Sequence, residues 1–296
     1  MEYNGTIYRP TAEANTFLVP VTEGCTHNKC HFCSMFKGVP FRMVKKEAIA
    51  EYLEEEVGWH HNRGVELERV FLVGADPFAL SADRLEEVID LIREYIPECR
   101  LFTMYAAVRN IRTKTDDDLV RLHELGVDDL YVGIESALED VLTYFNKGNT
   151  AAEATEQMLR LNKAGIRHRD MIIPGAGGKG RGTESGMAFA KMFSETKPSM
   201  ILFTAMSFFP GTGLYEDRQK GKFVPAREKE VLQEEITMFE NMDSPDTYIW
   251  AVHSLNSVRM TGNFGENKEE MLQRLRDAYD KLDEDQFEKT FRREHL

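Results

Sequence analysis

Phe17-Leu18-Val19-Pro20-Val21-Thr22-Glu23-Gly24-Cys25-Thr26-His27-Asn28-Lys29-Cys30-His31-Phe32-Cys33 is the stretch on which the reading of this chain turns. Its first five residues form an apolar run of strand length. Three cysteines follow directly, spaced Cys-x4-Cys-x2-Cys. Loops at the carboxyl ends of parallel strands are where α/β sheets place their sites. The reading therefore depends on whether further strands of that kind follow.

They do, in alternation with helices. Lys45–His60 reads as a helix, and Arg69–Val73 as a strand ending at Gly74. Ser81 can cap the next helix, which stops before Pro97. Arg100–Tyr105 is a third strand. Thr115 caps a helix whose first turn holds Asp116, Asp117 and Asp118, carboxylates suited to the positive end of the helix dipole, and Gly126 fits its end. Leu130–Ile134 is a fourth strand. Thr150 and Glu153 have capping-box spacing for the next helix, which Gly165 ends. Arg169–Ile173 is a fifth strand, Glu184–Ser194 a helix, and Met200–Ala205 a sixth strand. Such alternation implies a parallel sheet, as a barrel or an open doubly wound sheet, and six units leave a barrel short of eight. After Pro210 the rhythm changes: a helix at Arg227–Met242, one more strand at Tyr248–Val252, a charged amphipathic helix at Glu266–Asp283, and a solvated tail over the last dozen residues.

Composition narrows the function classes. The aromatic and apolar content is that of a globular chain. No run of 18 apolar residues exists, so no membrane-spanning helix is expected. Met1–Gly5 has neither the basic nor the apolar region of a signal peptide. A net charge of −13 argues against general nucleic-acid binding. Four cysteines are too few for a secreted disulfide scaffold and read as metal or redox chemistry in a reducing cytoplasm.

Taken alone, Cys25, Cys30 and Cys33 admit three readings: an iron–sulfur cluster, a zinc site completed by His27 or His31, or three unrelated residues. Three thiolates leave one iron of a [4Fe–4S] cluster open, as a catalytic site requires. Cys99, at the start of the third strand, reads as a small buried residue. Tyr105, near that strand's end, is a candidate donor of a hydrogen atom or hydrogen bond, Met104 a core residue, and Arg109 a weaker candidate for contact with substrate or cofactor. Arg167 and Arg169 alternate onto one face of the fifth strand and His168 onto the other. His253, Asn256 and Arg259 either close the site or form a polar surface loop. Gly175-Ala176-Gly177-Gly178-Lys179-Gly180 fits a dinucleotide fingerprint, yet follows the fifth strand where a Rossmann site uses the first.

Over residues 15–215 the chain resembles the radical S-adenosylmethionine (SAM) enzymes. That family carries three cysteines after its first strand, most often Cys-x3-Cys-x2-Cys; the first gap here is one residue longer. The resemblance continues in order along the strands. Phe32, just before the last cysteine, corresponds to a ring near the adenine of SAM. Gly74-Ala75-Asp76-Pro77 stands where a Gly-Gly-Glu-Pro-like turn meets the methionine amino group, with Ala75 and Asp76 departing from that pattern. Gly133-Ile134-Glu135-Ser136, followed by Asn146-Lys147-Gly148, matches a segment near the SAM ribose or carboxylate. Ile173–Gly178 matches a glycine-rich turn that includes Gly175. Phe208-Phe209-Pro210-Gly211-Thr212 resembles the adenine-recognising segment. Arg169 is a candidate partner for the SAM carboxylate.

The resemblance implies a partial (β/α)6 TIM-like barrel over residues 1–215, with a C-terminal helical extension over 216–296 that packs on it and is not an independent domain. It implies a [4Fe–4S] cluster on Cys25, Cys30 and Cys33, SAM on the open iron, and reductive cleavage to a 5′-deoxyadenosyl radical that takes hydrogen from a substrate. The expected substrate is a small organic molecule rather than nucleic acid, and the expected reductant is a flavodoxin or ferredoxin. Two rivals are a non-catalytic iron–sulfur electron carrier and a zinc-dependent barrel hydrolase.

Overall fold

In the computed structural model, which describes residues 6–290, the run Phe17–Pro20 is the first strand, β1. The expectations for Met1–Gly5 and for the last six residues of the tail lie outside the described residues. The fold is mixed α/β, and its contacts divide it into two units. One holds the described residues through Asn28 with Met35–Gly133 and Leu159–His168; the other holds Lys29–Ser34, Ile134–Met158 and the described residues from Arg169 onward.

In the first unit, Thr22–Glu23 (β2) and Arg42–Met43 (β3) form a short antiparallel ladder. Then come Lys46–His61 (α1), Arg69–Val73 (β4), Ala82–Tyr95 (α2), Leu101–Ala106 (β5), Val108–Arg112 (α3), Asp116–Glu124 (α4) and Val127–Glu135 (β6). Strands β1, β4, β5 and β6 pair in that order, all parallel. The helix starts obey the capping chemistry of the sequence. Ser81 Oγ accepts from the Arg84 amide, and Thr115 and Asp118 form a reciprocal box. Strand β6 begins three residues before the expected Leu130, because a register shift at Phe102/Thr103 brings Val127 opposite Phe102.

Register sorts the side chains of these strands. Val70, Leu72, Phe102, Met104, Leu130 and Val132 lie on one face and are buried, so Met104 is core. Phe71, Thr103, Tyr105, Asp129 and Tyr131 share the other face. At the amino ends of the strands that face carries a buried charge network. Glu13 accepts from Arg69 at 2.7 and 3.2 Å and from the Tyr131 hydroxyl at 2.7 Å, and Arg69 also pairs with Asp129 at 3.1 Å.

The second unit contains Glu139–Tyr144 (α5), Ala151–Ala164 (α6, shared with the first), Arg167–Ile172 (β7), Gly182–Thr196 (α7), Met200–Phe203 (β8), Gly213–Gln219 (α8), Glu228–Asn241 (α9), Tyr248–Trp250 (β9), Thr261–Asn263 (β10), Phe264–Lys281 (α10) and Glu284–Thr290 (α11). Thr150 and Glu153 bond reciprocally at the start of α6. Strands β7, β8 and β9 run parallel, and β10 returns antiparallel to β9. The C-terminal part of the chain is thus not purely helical. The described part of the expected tail lies in α11, where the exposed Asp285 and Glu288 pair with Arg227 at the surface. Helices α7 and α9 approach closely, since a Cβ on Gly182 or Gly186 would stand 2.3 or 2.4 Å from the carbonyl oxygens of Glu230 or Glu234.

Candidate functional site

The candidate residues leave the carboxyl ends of successive parallel strands. In the first unit Cys25 follows β1 and the two-residue strand β2. Its sulfur accepts from the Asn28 amide at 3.4 Å, and Asn28 holds a left-handed backbone (φ 47°). Gly24 (φ 67°) enters that turn with no room for a Cβ, which would meet the Pro40 carbonyl oxygen at 2.6 Å.

The turn Gly74–Pro77 follows β4. At Gly74 (φ 152°) a Cβ would lie 1.9 Å from Thr22 Oγ1, so only glycine fits against β2. Asp76 is 2% exposed. Its Oδ2 accepts three bonds, from Thr26 Oγ1 at 2.6 Å, Arg109 Nη2 at 3.0 Å and Asn110 Nδ2 at 2.9 Å. Arg109 Nη2 also donates to Thr26 Oγ1 at 2.6 Å. Asp76 Oδ1 is buried and has no partner among the described residues. Burial raises the Asp76 carboxyl above its ordinary range, against the bonds from Thr26 and Asn110 and the Arg109 charge, which pull it down. Beyond the turn, the Lys114 ammonium is buried and donates to the carbonyls of Phe78 and Leu80 at 2.7 and 2.8 Å.

Tyr105, near the end of β5, is not part of the Asp76 cluster. Its ring packs edge-on against Phe71 and Tyr131. Burial, with Tyr131 and Glu13 nearby, pushes its hydroxyl well upward, so it keeps its proton. Cys99 is buried, its thiol pushed up to about 11 by desolvation, as a structural cysteine should be.

The second unit holds Cys30 and Cys33. Their loop segment is fixed by backbone bonds: the His31 amide donates to the Phe145 carbonyl at 2.8 Å, and the Leu214 amide to the His31 carbonyl at 3.0 Å. Asp217 Oδ2 lies 2.8 Å from His31 Nε2 and accepts from the Tyr144 hydroxyl at 2.7 Å. Phe32 packs on Phe145, and both Phe32 and Phe208 border an apolar cluster that includes Leu138, Ile173 and Leu214. Arg218 lies over the Phe208 ring, and the Phe209 carbonyl accepts from Thr212.

Glu135 ends β6 in a left-handed backbone (φ 63°) and pairs with Lys147 at 2.8 Å. Ser136 is fully buried, its oxygen accepting from the Leu138 amide. Arg169 is half-buried on β7 in register with Met200, while Arg167 pairs with Asp128 and Asp129 of the first unit, where it also lies. The Gly175 amide donates to Glu234 Oε2 at 2.8 Å, and the Ser185 hydroxyl to Oε1 at 2.7 Å. Asn256 is buried and holds the Ala205 amide and the Phe203 carbonyl, so it fixes the exit of β8 rather than forming a surface loop.

Sequence reading missed Thr26, Asn110, Asp217, Lys147 as a partner of Glu135, and Glu234. Each acts through a contact distant in sequence. Only Lys147, inside the matched Asn146-Lys147-Gly148, carried a local signal.

The donor set suits an iron–sulfur cluster. Cys25, Cys30 and Cys33 are in no disulfide and are half-exposed, and an amide already bonds the Cys25 sulfur as it would a thiolate. No group of three or more His, Cys, Asp or Glu among the described residues is arranged around one metal ion; a cubane is held at separate irons and does not need such a group. No helix among the described residues is long and apolar enough to cross a membrane.

Comparison with known proteins gives a consistent result. The Radical SAM superfamily matches residues 19–180, more than half of the chain. A tRNA uridine(34) acetyltransferase of Methanocaldococcus jannaschii is 22% identical over 257 residues, which are 71% of this chain and 46% of that protein. The chain spans about half the length of the curated relatives it matches. Among solved structures, Escherichia coli coproporphyrinogen III oxidase (HemN), a radical SAM enzyme, aligns with a TM-score of 0.56 at 18% identity, over 76% of this chain and 52% of that one. Methylornithine synthase (PylB) aligns with a TM-score of 0.54 at 15% identity, over 88% and 81%. These likenesses carry the fold, the α/β TIM-like barrel class expected from the sequence. These comparisons support neither the electron-carrier nor the zinc-hydrolase reading, and they leave the substrate open. This chain belongs to the radical SAM superfamily and is an enzyme whose cofactors are a [4Fe–4S] cluster and SAM.

Proposed function

We propose that Cys25, Cys30 and Cys33 are the three thiolate ligands of the cluster and that the enzyme takes a hydrogen atom from a small organic substrate. The observation that carries this reading is positional. Cysteine loop, Gly74–Pro77 turn, Tyr105, Glu135–Ser136, Gly175 and Phe208–Phe209 all stand at the carboxyl ends of parallel strands in chain order.

The chemistry supplied by the bound group is one-electron cleavage of SAM to methionine and a 5′-deoxyadenosyl radical. The chain's own residues bind and orient. Backbone groups of Gly74–Pro77 and the Asp76 carboxylate receive the methionine amino group. Arg169 pairs with its carboxylate, and the Glu135–Ser136 segment lies near the ribose or carboxylate, Glu135 facing SAM while the buried Ser136 fixes the turn. Phe32, Gly175, Phe208 and Phe209 enclose the adenine and exclude water. Tyr105, which keeps its proton, stands ready as a hydrogen-bond or hydrogen-atom donor. A flavodoxin or ferredoxin of the cytoplasm is the reductant.

The charge of −13 favours a small substrate over a polyanion. The curated relative that acts on tRNA defines the opposing arm of the test. The reconstituted, reduced protein is given SAM with either a desalted small-metabolite extract or purified tRNA, and 5′-deoxyadenosine is measured. Stimulation by the extract alone is expected; stimulation by tRNA alone would overturn the small-substrate reading.

A further inference from the structure

The first residue of the gap between Cys25 and Cys30, Thr26, makes a contact outside the loop. Its side chain is exposed yet doubly engaged: Oγ1 donates to Asp76 Oδ2 at 2.6 Å and accepts from Arg109 Nη2 at 2.6 Å. Arg109 reaches Asp76 Oδ2 directly as well, at 3.0 Å, and Asn110 adds a third bond at 2.9 Å. Thr26, Asp76, Arg109 and Asn110 all belong to the first unit.

These three side-chain donors converge on one carboxylate oxygen, and the Thr26 backbone amide also bonds the carboxyl. The other, Oδ1, is buried without a partner among the described residues. A buried acceptor left unpaired costs about 1–3 kcal/mol, so the arrangement leaves one oxygen for a donor that the protein does not supply. The three bonds to Oδ2 fix the rotation of the carboxylate and therefore the direction of Oδ1.

We infer that Thr26 and Arg109 are positioning residues that latch the cysteine loop to the Gly74–Pro77 turn and aim Asp76 Oδ1 at an N–H of the amino group of SAM. This rests on the reading that Cys25 binds the cluster and the turn binds SAM. Thr26→Val keeps the shape and removes the hydroxyl; Thr26→Ser restores it.

The test uses the full chain, reconstituted anaerobically with iron and sulfide. Iron and sulfide content, melting of the reconstituted protein, and the electron paramagnetic resonance (EPR) signal of the reduced cluster titrated with SAM are recorded. The Thr26→Val protein is expected to carry wild-type iron and to melt only a few degrees, about 5 °C or less, below wild type, while its SAM dissociation constant rises about tenfold. The Thr26→Ser protein is expected to stay within about twofold of wild type. An unchanged SAM titration in Thr26→Val would overturn the inference alone. Loss of iron, or a melting temperature lowered by much more than about 5 °C, would overturn it too, since the hydroxyl would then hold the fold rather than aim Asp76. A wild-type cluster whose signal does not respond to SAM would overturn the underlying reading of the site and the inference with it.

Discussion

Lys147 holds the carboxylate of Glu135 at 2.8 Å while the Glu135 backbone sits in the left-handed region, at φ 63°. A non-glycine residue there costs on the order of 1 kcal/mol and is kept only where its surroundings fix it. Both side chains are mostly buried, at 11% and 14% exposed, so the pair is poorly screened. Glu135 is therefore presented at the end of β6 in one defined pose. Replacing Lys147 by Met leaves a buried carboxylate uncompensated. The expected loss is about 2 kcal/mol of folding stability, together with weaker SAM binding, and Lys147→Arg should recover most of both. Chemical denaturation and SAM titration of the two variants check this.

Glu13 is the anchor of the opposite end of the strands. Burial raises its pKa, but the bond from Arg69, with those from Thr16 and Tyr131, outweighs that and holds it below the ordinary 4.5. A carboxyl lowered on folding contributes stability above its unfolded pKa, and that contribution is lost as pH falls through the folded value. Glu13→Gln should cost about 3 kcal/mol near neutral pH by leaving Arg69 half-paired. The gap to wild type should close in acid, below 4.5. Urea unfolding at neutral and acid pH measures both.

Glu234 behaves in the opposite sense. Burial pushes its carboxyl up to about 7, despite the bonds from the Gly175 amide and the Ser185 hydroxyl. A group whose pKa rises on folding stabilises fully below its unfolded value and loses that contribution as pH climbs to the folded value. The wild type should therefore lose stability relative to Glu234→Gln between 4.5 and about 7, by up to about 3 kcal/mol. A melting series of both proteins across that window tests the sign: a wild type that gains on the variant as pH rises would contradict it.

The strand–helix alternation was legible because each strand is a short apolar run and most helices open on a side-chain cap. Ser81, Thr115 and Thr150 all cap as their residue types dictate. The cysteine loop was legible from spacing. The Asp76 cluster was not, because Thr26 and Asp76 lie fifty residues apart and only pairing of β1 with β4 brings them together. Strand β10 and helix α3 were missed because both are too short to show a period. Glu234 was invisible for a different reason. A glutamate on a charged amphipathic helix reads as solvated, and only the close approach of α7 at Gly182 and Gly186 buries it.

The most direct test is production of 5′-deoxyadenosine by the reconstituted, dithionite-reduced protein given SAM, beside Cys25→Ala, Cys30→Ala and Cys33→Ala. Cluster content and the SAM-dependent change in its EPR signal are measured in the same samples. The wild type alone should hold a SAM-responsive [4Fe–4S] cluster and form the product. A cluster and product retained in any one of the three variants would contradict the assignment of its cysteine as a ligand. A wild type that binds the cluster but neither responds to SAM nor cleaves it would contradict the account as a whole.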